Sequence, residues 1–234
     1  MKIRHLHPWD VSFRQAIEIQ KSLCHRVVFK DLPEKIRLVA GTDVSCSNNS
    51  NTIWAGVVVL NFPFLEKMEE KWVKGTTDFP YIPGLLSFRE IPLLLEAISR
   101  IHTEPDLIFC DGQGIAHPRG LGLASHLGLF IERPTIGCAK KRLVGEFSEV
   151  GTNRGEYSAL SHGGKEIGAV VRTRTGVKPV FVSPGYGVTI KDATRMVLDC
   201  GGRYRIPEPV RQAHLLVNRI KTRVQRSKGR RVEK

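Results

Sequence analysis

Between Phe13 and Val27 apolar residues recur every three or four positions, at Phe13, Ala16, Ile17, Leu23, Cys24 and Val27. That spacing gathers onto one helical face and predicts a helix from a cap at Asp10 to about Val28. The period then changes. Arg37-Leu-Val-Ala-Gly-Thr-Asp-Val44 and Ile53 to Leu60 are short apolar runs separated by a polar turn, Ser45 to Asn51, and they predict a hairpin. A third strand is expected around Lys71 to Lys74. After the Pro- and Gly-rich loop Phe79 to Gly84, the pattern predicts a helix at Ile91 to Ile101 and a buried strand at Asp106 to Asp111. A helix at Leu121 to Ile131 and a strand at Pro134 to Cys138 follow. Further on, Val170 to Arg174 and Val180 to Ser183 read as strands. Asp192 to Asp199 and Pro209 to about Val224 read as helices.

Early strands joined by hairpins pair antiparallel, and later strands joined by helical crossovers pair parallel. The expected fold is therefore α/β: a ribonuclease H-like mixed sheet flanked by helices. One domain is expected over residues 1–225, followed by a basic, mobile tail at 226–234.

Composition narrows the partner. Lys and Arg number 36 against 23 Asp and Glu, a net charge of +13. Such an excess suits a polyanion, nucleic acid ahead of a membrane surface. The first ten residues contain no apolar stretch of the secretory kind, and no run is long enough to span a bilayer. The five cysteines, Cys24, Cys46, Cys110, Cys138 and Cys200, are odd in number and widely spaced, so neither a zinc motif nor a disulfide framework is indicated. These features predict a cytoplasmic protein in a reducing compartment without membrane attachment. Nothing demands a dimer, and a monomer is expected.

The candidate chemistry begins with carboxylates in apolar strands. Asp43 sits inside one such strand, and Asp111 ends another. If the two strands are neighbours, the carboxylates converge, and a divalent cation would relieve their repulsion. Mg²⁺ between carboxylates suits phosphodiester hydrolysis. Each residue also has a structural reading. Asp43 could shape a turn. Glu90, in Ser87-Phe-Arg-Glu90, fits a capping box, unless Pro92 marks the first helical position and leaves Glu90 just before the helix. Asp111 leans toward function because Gly112-Gln-Gly114 opens the backbone beside it.

Tyr81 and Ile82 stand between Pro80 and Pro83, followed by Gly84. The prolines would present Tyr81 stiffly, either to stack against a base or to pack under its own loop. His117, with Arg119, could belong to a phosphate cradle or to a simple turn. Lys140, after the Pro134 to Cys138 strand, reads as a phosphate-holding group or as part of a solvated cationic loop. His214 borders the stripe Val210, Ala213, Val217, Ile220 and Val224, where a packed histidine competes with a ligand or proton shuttle.

Taken in order, Gly41-Thr-Asp-Val44, Pro80-Tyr-Ile-Pro-Gly84, Ser87-Phe-Arg-Glu90, Asp111-Gly-Gln-Gly114 with Ala116-His-Pro-Arg-Gly120, Gly137-Cys-Ala-Lys-Lys141 and Gln212-Ala-His214 resemble the endonuclease V family. The likeness runs from about residue 10 to 220. It implies a Mg²⁺-dependent endonuclease, with Mn²⁺ able to substitute. Such an enzyme recognises inosine in nucleic acid, DNA favoured over RNA, and cuts the second phosphodiester bond on its 3′ side, leaving a 3′-hydroxyl and a 5′-phosphate. It further implies that Asp43, Glu90 and Asp111 hold metal, that Lys140 positions water or phosphate, and that His214 assists. Tyr81 would act as a wedge at the lesion. The extruded base would meet a pocket of Tyr81, Ile82, Pro83, Gly84 and Leu86 on one side, with Gly112, His117 and Leu123 on the other. Two competing readings are another ribonuclease H-like nuclease, which needs no base-separating loop, and a basic binding protein without catalysis, in which the carboxylates are structural.

Overall fold

The computed structural model describes residues 1–47 and 50–232, with side chains to Val224 at the C-terminal end. Eight strands form one sheet in the order β3-β2-β1-β4-β5-β8-β7-β6. These are β1 (Leu38–Cys46), β2 (Thr52–Asn61), β3 (Lys67–Thr76), β4 (Leu107–Cys110), β5 (Thr135–Ala139), β6 (Tyr157–His162), β7 (Lys165–Val171) and β8 (Val180–Tyr186). The helices are α1 (Phe13–Leu23), α2 (Leu86–Ser99), α3 (Leu123–Ile131), α4 (Ile190–Asp199) and α5 (Glu208–Val232).

The expected mixed sheet is present. β1, β2 and β3 pair antiparallel, whereas β4 lies parallel to both β1 and β5. Past β5 the expectation of parallel pairing fails, because β8 runs antiparallel to β5. The two are joined through the β6–β7 hairpin, not by a single helical crossover.

Side chains alternate across β2, and this alternation builds both core layers. Trp54, Val58 and Leu60 pack with Met196 and Val197 of α4 and with Val210, Ala213 and Leu216 of α5. Ile53, Ala55, Val57 and Val59 pack with Ile91, Leu94 and Ile98 of α2 and with Leu127 and Phe130 of α3. A strand buried on both faces must be apolar throughout, which is why Ile53 to Leu60 reads as an unbroken run. α5 reaches the sheet closely because Gly41 lacks a side chain: a Cβ there would lie 1.9 Å from the Pro209 carbonyl oxygen.

Several boundaries differ from the sequence expectation. α1 starts at Phe13, capped by Ser12 in a capping box with Gln15, so Asp10 is not the cap. A short 3₁₀ turn, Cys24–Arg26, replaces the helix's expected last turn. α2 begins at Leu86, and Pro92 lies inside it. Ser87 forms no cap, its hydroxyl instead bonding His126 Nδ1 at 3.0 Å. The backbone of α5 continues to Val232, while the side chains of the expected basic tail, residues 226–234, lie outside the described residues. No described helix is long and apolar enough to cross a membrane. All five cysteines are free.

Candidate active site

Parallel pairing aligns Thr42 of β1 with Cys110 of β4. Asp43 and Asp111 follow those two residues, so the strand register brings the carboxylates side by side. The Asp111 main-chain N–H donates to the Thr42 carbonyl at 3.3 Å and holds this alignment one residue past β4. α5 crosses the same edge and adds His214, whose Nδ1 lies 2.8 Å from Asp43 Oδ2. Ligand atoms of Asp43, Asp111 and His214 all lie within 4.8 Å of one another.

Glu90, the fifth residue of α2, is buried and stands behind this trio. Burial pushes its carboxyl well above the ordinary range, and the nearby Asp43 and Asp111 push it further. It accepts no hydrogen bond from the described residues. A helical location thus replaces the expected cap position, and the buried acid has no structural partner to explain it. Asp111 is also raised, chiefly by burial and then by Asp43, against the lowering influence of Lys140. Lys140 Nζ donates to Asp111 Oδ2, and its backbone is held by Arg205 Nη2, which donates to the Lys140 carbonyl at 2.7 Å. His214 is raised, first by its bond to Asp43. Its Nε2 meets Asn218 Nδ2 at 2.9 Å, and Asn218 is oriented in turn by Ser45 Oγ at 3.3 Å.

The donor set fits a hard divalent cation. Two carboxylates and one imidazole converge, with the buried Glu90 carboxyl near enough to feel both acids, and a cation among them would relieve the repulsion. The neighbouring Cys110 thiol is not among these ligand atoms, and burial pushes it up to about 12.

A cavity of about 430 Å³ adjoins the carboxylates. That volume falls within the roughly 300–1,000 Å³ of small-molecule sites. Tyr81, Pro83, Gly84 and Leu86 line one side. Gly112, His117 and Leu123 line the other. Ile82 does not line it; its side chain packs toward Leu85 and Phe88. Lys140 belongs to both places, lining the cavity while paired with Asp111. Tyr81 is 70% exposed, so it is presented to solvent at the cavity and not packed under its loop.

Sequence reading overlooked Gln20, Gln113, Ser87, Arg142 and Leu143 in the cavity lining, and Asn218 beside His214. Asn218 had a signal, because it stands four positions after His214 on one helical face. Gln20 had none, since its partners are far away in sequence.

The sequence model of the family described as Endonuclease V matches residues 21–215. The endonuclease V of Dehalococcoides mccartyi is 49% identical over 215 residues, covering 92% of this chain and 96% of that protein. The solved endonuclease V of Streptomyces avermitilis superposes with a TM-score of 0.88 at 38% identity, covering 96% of this chain and 100% of that one. Endonuclease V of Ciona intestinalis, solved in complex with a 24mer DNA containing an inosine followed by a ribo-adenosine, gives 0.79 at 25% identity over 90% of this chain and 98% of that one.

Proposed function

The chain belongs to the endonuclease V family and is a nuclease, and we propose that it cuts nucleic acid, DNA in preference to RNA, at the second phosphodiester bond 3′ to an inosine. The observation that carries this reading is a base-sized cavity sharing Lys140 and the Asp111–Gly112 turn with a carboxylate centre. Inosine-containing DNA bound by the Ciona intestinalis relative supports the substrate class. The net charge of +13 supplies attraction to phosphate along the strand.

Tyr81, stiffened by Pro80 and Pro83, fills the space left when the weakly paired base is extruded. The base enters the cavity between Gly84 and Leu86 on one side and Gly112 and Leu123 on the other. Asp43, Glu90 and Asp111, with His214 beside them, would hold Mg²⁺ or Mn²⁺. When bound, the cation supplies activation of water and neutralises charge on the scissile phosphate. Lys140 brings a second positive charge to the phosphate and restrains Asp111. His214, oriented by Asp43 and Asn218, stands where a proton can be exchanged beside the attacked bond. The products carry a 3′-hydroxyl and a 5′-phosphate, as in repair of deaminated adenine. The five free cysteines support a reducing, cytoplasmic setting.

The test is an end-labelled duplex with one deoxyinosine, in Mg²⁺ or in EDTA, beside an RNA version and an inosine-free control. The expected result is one Mg²⁺-dependent nick, one nucleotide beyond the inosine on its 3′ side, with the DNA cut faster. Asp43→Asn should abolish the nick while still binding the strand, since phosphate contacts are untouched. No cut of either inosine strand by folded protein with Mg²⁺ or Mn²⁺ would overturn the proposal.

A further inference from the structure

The main-chain oxygen of Gly84 receives three donors from two other parts of the chain. His117 Nε2 and Arg119 Nη2 each donate to it at 2.8 Å, and Gln20 Nε2 at 3.0 Å. The Arg119 N–H donates to His117 Nδ1 at 3.2 Å, which places the proton of the neutral ring on Nε2, facing Gly84. The Gln20 amide is equally determined. Its Oε1 accepts from Arg119 Nε at 2.6 Å, and its Nε2 also donates to the Leu121 carbonyl at 3.1 Å. A flipped amide would set its oxygen against two carbonyls. Gln20 is 1% exposed, and its bond to Leu121 is fully buried. Gly84 is shaped to this arrangement: it has a φ of +81°, and a Cβ there would lie 2.9 Å from Arg119 Nη2.

The two carbonyls held by the one Gln20 nitrogen stand on different cavity loops. Gly84 ends the Pro-Tyr-Ile-Pro loop, and Leu121 precedes Gly122, which also lines the cavity. We propose that Gln20 is a positioning residue that sets the spacing of these two loops, and thereby which base the cavity accepts. This rests on the reading that the cavity receives the extruded base. Gln20 comes from α1, one position ahead of the segment that matches the family. It touches neither the carboxylates nor, by this reading, the scissile phosphate.

Gln20→Met keeps the length and burial of the side chain and removes its donors and acceptor. Arg119→Lys is the second variant, since an ammonium cannot reach Gln20 and Gly84 together through a planar fork. Two measurements are made on each folded variant. The first is amide hydrogen exchange in residues 79–86 of cation-free protein, which needs no activity. Loss of the two Gln20 donor bonds should speed it about tenfold or more. The second is kcat/KM for hypoxanthine against the bulkier xanthine and against adenine. The preference for hypoxanthine should narrow about tenfold, with the loss in KM and kcat largely kept. Unchanged exchange overturns the proposal. Faster exchange with an unchanged base preference also overturns it, because Gln20 would then be structural only. Failure of the unaltered protein to cut any inosine strand would instead sink the inosine reading, and the exchange comparison would still stand.

Discussion

Glu90→Gln separates a metal-holding acid from a structural one. Glu90 is buried in α2, accepts no hydrogen bond among the described residues, and has its carboxyl held well above the ordinary range by burial, Asp43 and Asp111. Burial and its two acidic neighbours therefore favour the neutral form in cation-free protein, and glutamine is a neutral side chain of nearly the same volume. The exchange opens no cavity and breaks no ion pair. In EDTA the variant should melt within about 2–4 °C of the unaltered protein, the shift produced by roughly 1 kcal/mol in a chain of this size. A cation at a hundred times its dissociation constant stabilises by about 2.7 kcal/mol, or roughly 5–10 °C on the same scale. A hundredfold loss of affinity would shrink that gain to about 0.4 kcal/mol. The assay is a pair of melts, in EDTA and in Mn²⁺ or Mg²⁺, alongside cleavage of the inosine duplex. The expected variant melts normally in EDTA, gains almost nothing from the cation and does not cut. A fall of more than about 10 °C in EDTA, or the full cation-dependent rise, would refute the reasoning, because the carboxyl would then be supporting the fold or standing apart from the metal.

Gly41→Ala should couple packing to chemistry: its Cβ would meet the Pro209 carbonyl oxygen at 1.9 Å and carbon at 2.1 Å, main-chain atoms that cannot swing aside. The start of α5 must retreat, which should cost about 1–3 kcal/mol and move His214 far enough to slow cleavage roughly a hundredfold; a normal melt and rate would contradict the packing. Acid should expose His117, which burial lowers to about 4. The unfolded ring protonates below about 6.5, so between those values the unfolded state binds more protons and stability falls as pH falls. His117→Asn should therefore show a shallower loss of urea resistance than the unaltered protein across that window, by up to about 3 kcal/mol, whereas identical slopes would rule the effect out. Glu90 and Asp111 titrate in the opposite sense but are common to both proteins. Tyr81→Ala removes an exposed ring, so the melt should stay put while cleavage of duplex inosine substrate falls roughly tenfold or more; single-stranded substrate, with no strands to separate, should suffer less, and an equal loss on both would argue against a wedge.

The strands that carry the site were legible because their surroundings are simple. β1, β2, β4 and β5 lie inside the sheet with helices on both faces, so they read as apolar runs, and a charged residue interrupting one stands out. That is how Asp43 and Asp111 could be found from residues alone. β6 went unread because it is an edge strand in which only Leu160 is buried. The start of α2 was misplaced because Pro92 was weighed as a first helical residue and Ser87 as a cap, whereas Ser87 is drawn away by His126 from a distant helix. Glu90, Lys140 and His214 had no local pattern that separated them from bland alternatives. They emerged from the ordered set of short motifs, and the geometry then supplied the reason, a shared environment around two strand ends. Gln20 stayed hidden because its bonds reach 64 and 101 residues along the chain.

The placement of α2 ties the cavity to the carboxylates. Its first residue, Leu86, lines the cavity, and Glu90 follows four positions later, on the same helical face. The first turn has no side-chain cap; it is held by the loop that ends in Gly84, by Arg89 Nη1, which donates to the Phe79 carbonyl at 2.7 Å, and by the bond between Ser87 and His126. His126 is in turn held by His7, Nε2 to Nε2 at 2.8 Å, inside the aromatic cluster of Trp9, Phe88 and Phe130. The wall of the cavity and a buried acid of the centre are thus carried by one stretch of helix, supported from behind by a network of buried rings. A group pressing on Leu86 moves Glu90 unless that network resists, and a network of buried rings resists displacement better than a solvated cap would. The carboxyl ends of β1 and β4 supply two carboxylates, and α2 supplies a third acid from the same stretch of helix that walls the cavity.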